Sequence, residues 1–168
     1  LETSQATIVS AYFDVPSKRS SIHYELWMAN FLSLRDAMVI FTTADMIPKM
    51  MSMRGQSLMN RTVFVPMSLN DTWIATADIN GDPTNYWNDQ LNKDPERDIH
   101  RSYEVFWIWL SKSWFVSEAI AGKVGNPFHS EVFVWSDIGS FRKEEYNDKT
   151  LVRHPEIIPQ SALLIMAF

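Results

Sequence analysis

The residues best placed to do chemistry are Asp137, Gly139 and Lys112. Asp137 closes the run Val132-Phe133-Val134-Trp135-Ser136 and is followed by Ile138 and Gly139. A run of Val and aromatic residues suits a parallel strand buried on both faces, in the middle of a sheet, and ligands of open α/β sheets bind where such strands end. A carboxylate there can hold a ribose or a divalent cation. Hard ions take oxygens from Asp, phosphates and water, so one Asp can anchor Mg²⁺ or Mn²⁺ when a diphosphate supplies the rest. Gly139 has no Cβ, which lets the backbone come close to a bulky ligand. The plainer alternative is that Asp137 only forms an Asx-turn. Lys112 is the only charge between Glu104 and Glu118, in a stretch crowded with aromatics. It either snorkels to solvent or aims its ammonium at phosphate.

Other chemistries find little support. Cysteine is absent, which removes disulfides, thiolate zinc sites, CxxC redox motifs and cysteine nucleophiles together. The histidines His23, His100, His129 and His154 contain no i,i+4 pair of the kind that binds metal on a helix. None of the five glycines belongs to GxGxxG, GxxxxGK[ST] or GxSxG. Gly122-Lys123-Val124-Gly125 reads as a helix C-cap, and Met46, Met50, Met51 and Met53 as a helix face with its adjoining core.

These residues need elements to position them. Thr7–Phe13 is β-branched and aromatic and breaks at Asp14-Val15-Pro16-Ser17, so a first buried strand and a loop carrying Lys18 and Arg19 are expected. Ser20 or Ser21 can cap a helix over Ile22–Leu34, in which Tyr24, Trp27, Met28 and Phe31 recur at helical spacing. Ala37–Thr43 is a second strand, followed by a helix through Met53, and Thr62–Pro66 is a third strand. Asn70–Asp98 is rich in turn formers, with Gly81-Asp82-Pro83 as a turn. It is expected to be mostly irregular, with at most a short helix near Tyr86–Leu91. Ile99–Ala121 predicts one long helix, stopped by Gly122, Gly125 and Pro127. The alternation of strand and helix predicts an α/β sandwich with a mainly parallel sheet.

Length and charge set the outer bounds. With 168 residues and 46% hydrophobic content, the chain suits a single domain with its own core. Twenty acidic against 15 scattered basic residues, a net charge of -5, argue against a nucleic-acid partner. No run approaches the roughly 18 apolar residues of a membrane span, so none is expected in this chain. It starts at Leu1 and ends on the apolar run Ser161–Phe168, as expected of a piece whose core continues past the C-terminus. The compartment stays open: cytoplasmic in a bacterium, Golgi or secretory lumen if an upstream anchor precedes it. Asn60-Arg61-Thr62 and Asn70-Asp71-Thr72 are glycosylation sequons that matter only in the second case.

Taken in order, Thr7–Asp14, Val39-Ile40-Phe41-Thr42, Arg61-Thr62, Tyr103 with Ser111-Lys112, Asn126-Pro127-Phe128 and Phe133–Gly139 resemble the HtrL/YibB-like (WlaTC/HtrL) family from about Thr7 to Arg142. The resemblance implies a glycosyltransferase-like protein of the GT-A type, a nucleotide-diphospho-sugar transferase sandwich. Residues 1–168 would then hold its nucleotide-binding portion, with the C-terminal acceptor part missing. In GT-A enzymes an acid-x-acid motif at a strand end holds the metal and the sugar diphosphate. Asp137-Ile138-Gly139 stands in that place, with glycine for the second acid.

The resemblance further implies Ala11, Tyr12 and Phe13 near the nucleotide base, Arg61 and Lys112 as cations for the diphosphate, and Asp137 as the ligand of Mn²⁺ or Mg²⁺. Its implied partners are a nucleotide-sugar donor, a UDP-sugar first, and a glycan or lipid-linked acceptor. No catalytic base is identified, and one is expected beyond residue 142. The missing second acid motivates a different class, a non-catalytic sugar- or protein-binding module on the same fold. An Asp-nucleophile phosphohydrolase is a third class, which needs further acids and a Lys or Ser/Thr at other strand ends.

Overall fold

Four strands pair side by side and all parallel in the order β3-β2-β1-β4: β1 is Ala6–Tyr12, β2 Ala37–Thr42, β3 Thr62–Pro66 and β4 Val132–Trp135. The computed structural model describes residues 1–16, 21–77 and 82–159. Lys18, Arg19, Ser20, Gly81 and the run Ser161–Phe168 lie outside the described residues. The register sets Val9 opposite Val39 and Trp135, and Val39 opposite Val63. Parallel neighbours need crossovers, and α1 (Ser21–Leu32) and α2 (Ile47–Arg54) supply the first two.

The third crossover, from β3 back to the far side of β1, carries α3 (Trp73–Thr76), α4 (Pro83–Lys93), α5 (Arg97–His100), α6 (Glu104–Leu110) and α7 (Lys112–Ile120). Chain direction across the sheet therefore reverses between β1 and β4.

Both faces of the central strands are covered, which is why β1 and β2 read as unbroken apolar runs. Val9, Ala11, Val39 and Phe41 pack with Trp87, Trp107, Phe115 and Phe128 in one cluster. Ile8, Met38 and Ile40 pack with Met28, Phe31, Leu32 and Met50 in the other, joined by Ile138 and Phe141 from the chain after β4. Each large side chain buried completely here, Phe31 and Met50 among them, contributes about 1.5–3 kcal/mol over its exposed state.

Three sequence expectations are corrected. First, β4 is not central: among the described residues it forms one edge of the sheet, and its four residues are only half-buried. Its aromatic content reflects packing of Phe133 and Trp135 on one cluster rather than burial on both faces.

Second, the long helix is in three pieces. After α5, Arg101 takes a left-handed φ of 58°, and the Ser102 hydroxyl accepts the Glu104 N–H at 3.2 Å to restart the helix as α6. At Ser111 the axis only kinks, because Ser111 N–H still donates to Trp107 O at 3.0 Å and Phe115 N–H to Ser111 O at 2.9 Å.

Third, the stretch expected to be irregular holds the eleven-residue helix α4. Asp82 caps it by accepting the Asn85 N–H at 3.1 Å, Pro83 opens it, and Lys93 pairs with Asp89 one turn back at 2.5 Å.

Among the described residues no helix is long and apolar enough to cross a membrane.

Candidate active site at the strand ends

A cleft of about 470 Å³ opens at the carboxyl ends of β1 and β4, where the strand order reverses. Open parallel sheets leave a crevice at this point, because the connections from the two strands depart to opposite faces. The chain leaving β1 lines the cleft from Ala11 to Val15, and the chain leaving β4 lines it from Asp137 to Ser140. Tyr24 and Trp27 of α1 form a third side, and Glu96, Ile99, His100, Val105, Ile108 and Trp109 a helical wall. A further cavity of about 480 Å³ lies along Leu91, Asn92, Arg97, Asp98 and Arg101 and contains no residue of β1 or β4.

Sequence reasoning placed Ala11, Tyr12, Phe13, Asp137 and Gly139 together, and all of them line the cleft. Lys112 joins them through Asp137: its Nζ lies 2.9 Å from each carboxylate oxygen, and Trp135 Nε1 donates to Oδ1 at 3.0 Å. Asp137 is thus no simple Asx-turn, and Lys112 does not snorkel free. Arg61 is not part of this group. It precedes β3, at the opposite edge of the sheet, where it pairs with Glu2 at 2.5 Å and donates to Arg35 O at 3.1 Å. That ion pair holds the Glu2 carboxyl below the usual range.

Gly139 also owes its identity to something other than a ligand. A Cβ there would meet the Tyr24 ring at 3.2 Å and Trp27 at 3.5 Å, so the glycine lets α1 pack directly on the backbone after β4. Tyr12 presents a phenol to the cleft. Burial, with help from the neighbouring Asp14 charge, pushes its pKa up to about 12, so it remains a neutral hydrogen-bonding group at physiological pH.

The helical wall carries a pair that the sequence did not reveal. His100 Nδ1 lies 2.5 Å from Asp94 Oδ2, and both side chains are largely buried. Asp94 also accepts the Glu96 N–H at 2.9 Å, while the Trp109 and Phe106 rings stand close to perpendicular to the imidazole, with centroids 4.9 and 6.2 Å away. The hydrogen bond from His100 holds the Asp94 carboxyl below its ordinary value. The two stand six positions apart, a spacing that is neither helical nor strand-like, so no periodic search for metal ligands or catalytic sets finds them.

Over residues 4–166 the sequence matches the family described as "Bacterial protein of unknown function (HtrL_YibB)". The chain belongs to this family. No curated protein and no solved structure matches it. The site in this HtrL_YibB member therefore has to be read from its own chemistry.

A cation is tested first. Among the described residues no three His, Cys, Asp or Glu side chains converge as a ligand set, so no cage made of protein alone is present. Asp137, with a side chain 54% exposed, could share an ion with a bound diphosphate and water once its oxygens are released by Lys112. The lining carries the carboxylates of Asp14, Glu96 and Asp137 and the guanidinium of Arg142, which stacks on Trp27 at 4.8 Å, while Asp137 is already paired with Lys112.

Proposed function

We propose that this cleft binds a nucleotide-diphospho-sugar, a UDP-sugar first, and that the protein is a glycosyltransferase acting on a glycan or lipid-linked acceptor. The observation that carries the reading is the placing of Ala11–Phe13 and Asp137–Gly139 at the point where strand order reverses, the position at which open α/β sheets hold nucleotides. In this reading the base and ribose lie along the β1 end and the diphosphate lies at Asp137. The sheet and its two helical layers agree with a GT-A-type sandwich, which is proposed here as the finer assignment.

The residues do the following. Asp137 anchors Mn²⁺ or Mg²⁺ together with the donor's diphosphate. When bound, the ion neutralises charge on the departing diphosphate. Lys112 leaves Asp137 and moves to the phosphates, an exchange of low cost, since a partly exposed ion pair is worth about 0–1 kcal/mol. Tyr12 and the aromatic faces of Tyr24 and Trp27 bound the donor and exclude water from one side.

The test is calorimetric titration of UDP-sugars into the chain with Mn²⁺, then with EDTA, for wild type and Asp137→Ala. Binding that needs Mn²⁺ and weakens at least tenfold in Asp137→Ala is expected. Equal binding by both proteins, or none across a broad donor panel, overturns the reading.

A second reading has its own observation. Three carboxylates and the rings of Tyr12, Tyr24, Trp27 and Trp109 in one cleft also suit an uncharged sugar, stacked on aromatics and hydrogen-bonded to acids, without catalysis. Binding of free glycans without donor binding selects this module over the transferase.

A further inference from the structure

We infer that His100 is the base of the transfer, held in position by Asp94, with its Nε2 taking the proton from the acceptor hydroxyl. The inference rests on the transferase reading and adds the group that reading lacks. It stands on geometry. His100 is part of the helical wall of the cleft that the strand ends line, so a ligand spanning the cleft meets the imidazole. Nδ1 is occupied by Asp94 at 2.5 Å, which leaves Nε2 as the ring's remaining polar atom.

With the Asp94 carboxylate accepting, the proton sits on Nδ1 and the lone pair on Nε2, the tautomer a base requires. Asp94 is itself fixed by the Glu96 N–H at 2.9 Å, so the ring is oriented by a rigid partner. The charged groups near the ring are Asp94 and Glu96. The latter's carboxylate lies 3.6 Å from Nε2, beyond hydrogen-bond length, on a side chain 63% exposed. The Phe106 and Trp109 rings stand close to perpendicular to the imidazole, with centroids 6.2 and 4.9 Å away.

The step balances. The acceptor O–H proton passes to Nε2, and the electron pair left on oxygen forms the bond to the anomeric carbon. The bond from that carbon to the diphosphate oxygen breaks, and its pair leaves with the nucleoside diphosphate. Asp94 keeps its charge and only orients the ring, so it is a positioning residue.

The experiment uses the whole chain with Mn²⁺ and UDP-glucose, UDP-galactose and UDP-N-acetylglucosamine. It measures donor binding by calorimetry and UDP release with water and simple glycosides as acceptors. His100→Ala is expected to bind donor as wild type does and to release UDP about 10²–10³-fold more slowly, within the range of a lost general base. Added imidazole is expected to restore part of the rate, the space between Trp109 and Phe106 having been vacated. His100→Gln, which keeps a hydrogen bond to Asp94, covers the case in which the alanine variant melts early, and the same loss of rate is expected.

UDP release within threefold of wild type in either variant overturns His100 as the base and leaves donor binding standing. A lost rate that imidazole does not relieve, in a variant that melts like wild type, makes His100 structural and also overturns the inference. Wild type that binds donor and releases no UDP overturns catalysis and leaves a binding module. Wild type that binds no donor overturns the transferase reading and this inference with it.

Discussion

At the scale of single residues, what matters at Asp137 is whether its lysine partner serves a ligand or merely a fold. Lys112 Nζ bridges both Asp137 oxygens and lies 5.9 Å from the Trp135 ring centre. As a contribution to stability such a pair counts for little, since the two side chains are 32% and 54% exposed and solvent screens them. As a cation at the mouth of a cleft lined by three carboxylates it counts for more. Lys112→Met is therefore expected to leave the melting temperature within about 2 °C of wild type, the usual result of losing less than 1 kcal/mol in a domain of this size. The same variant is expected to weaken UDP-sugar binding about tenfold. Arg61→Met is the matched control at the opposite edge of the sheet. It loses the pair with Glu2 and the bond to Arg35 O, and its donor affinity is expected to be unchanged. Calorimetric titration of the two variants side by side checks both statements, and an equal loss in each would place the diphosphate elsewhere.

At the scale of elements, legibility followed the physics of each segment. β1, β2 and β3 were readable to within a residue or so: β1 and β2 because strands buried on both faces have few sequences open to them, and β3, half-buried at the sheet edge, because Pro66 ends a short β-branched and aromatic run. β4 was readable as a strand, but its place was not: an apolar edge strand and a central one carry the same residues when a helical layer covers one face. The break at Arg101 was hidden because Ile99, Tyr103 and Phe106 keep helical spacing across it. What interrupts the helix is the left-handed turn at Arg101, and the side-chain tie from His100 back to Asp94 beside it is one that no periodicity records. The same tie hid the most reactive-looking pair on the cleft wall, while Asp137 was visible because a strand end announces itself.

The break makes a prediction of its own. A non-glycine residue in the left-handed region costs about 1–2 kcal/mol, and glycine gives back about 0.5–1 kcal/mol through its freer unfolded chain. Arg101, at φ 58°, donates its N–H to Arg97 O at 2.8 Å, and its side chain makes only an exposed bond to Asp98 O at 3.2 Å. Arg101→Gly is expected to raise stability by about 0.5–1 kcal/mol in urea unfolding, and a destabilised variant would show that the guanidinium holds the turn.

For the molecule as a whole, the cleft and the device that closes the fold sit on opposite edges of one sheet. After β4 the chain crosses the face covered by α1 and α2, where Ile138 and Phe141 are buried with Phe31 and Met50. It then reaches the N-terminal edge of β2, where the Asp36 carboxylate accepts the N–H groups of Leu151 at 2.7 Å and Val152 at 3.0 Å. Beside it Arg54, 2% exposed, donates to Thr62 Oγ1 at 2.7 Å, to Asp36 O at 2.6 Å, and to the carbonyls of Leu32 and Leu34.

Burial lowers the Arg54 pKa to about 10 against the pull of Asp36, which still leaves the guanidinium charged at neutral pH. One planar cation thus ties the end of α1 and the start of β2 to α2 and β3, with the acid that pins the C-terminal segment close by. Removing this buried cation leaves its carbonyl and hydroxyl acceptors unpaired, at about 1–3 kcal/mol for each unsatisfied group, a large share of the roughly 5–15 kcal/mol that holds a domain together. Arg54→Met is expected to lose that much in urea unfolding. Because the network touches no residue of the cleft, the fraction that stays folded is expected to bind UDP-sugar with wild-type affinity. A stability loss below 1 kcal/mol would show that the carbonyls Arg54 serves find other partners, and a loss of affinity in the folded fraction would show that the two edges of the sheet are coupled.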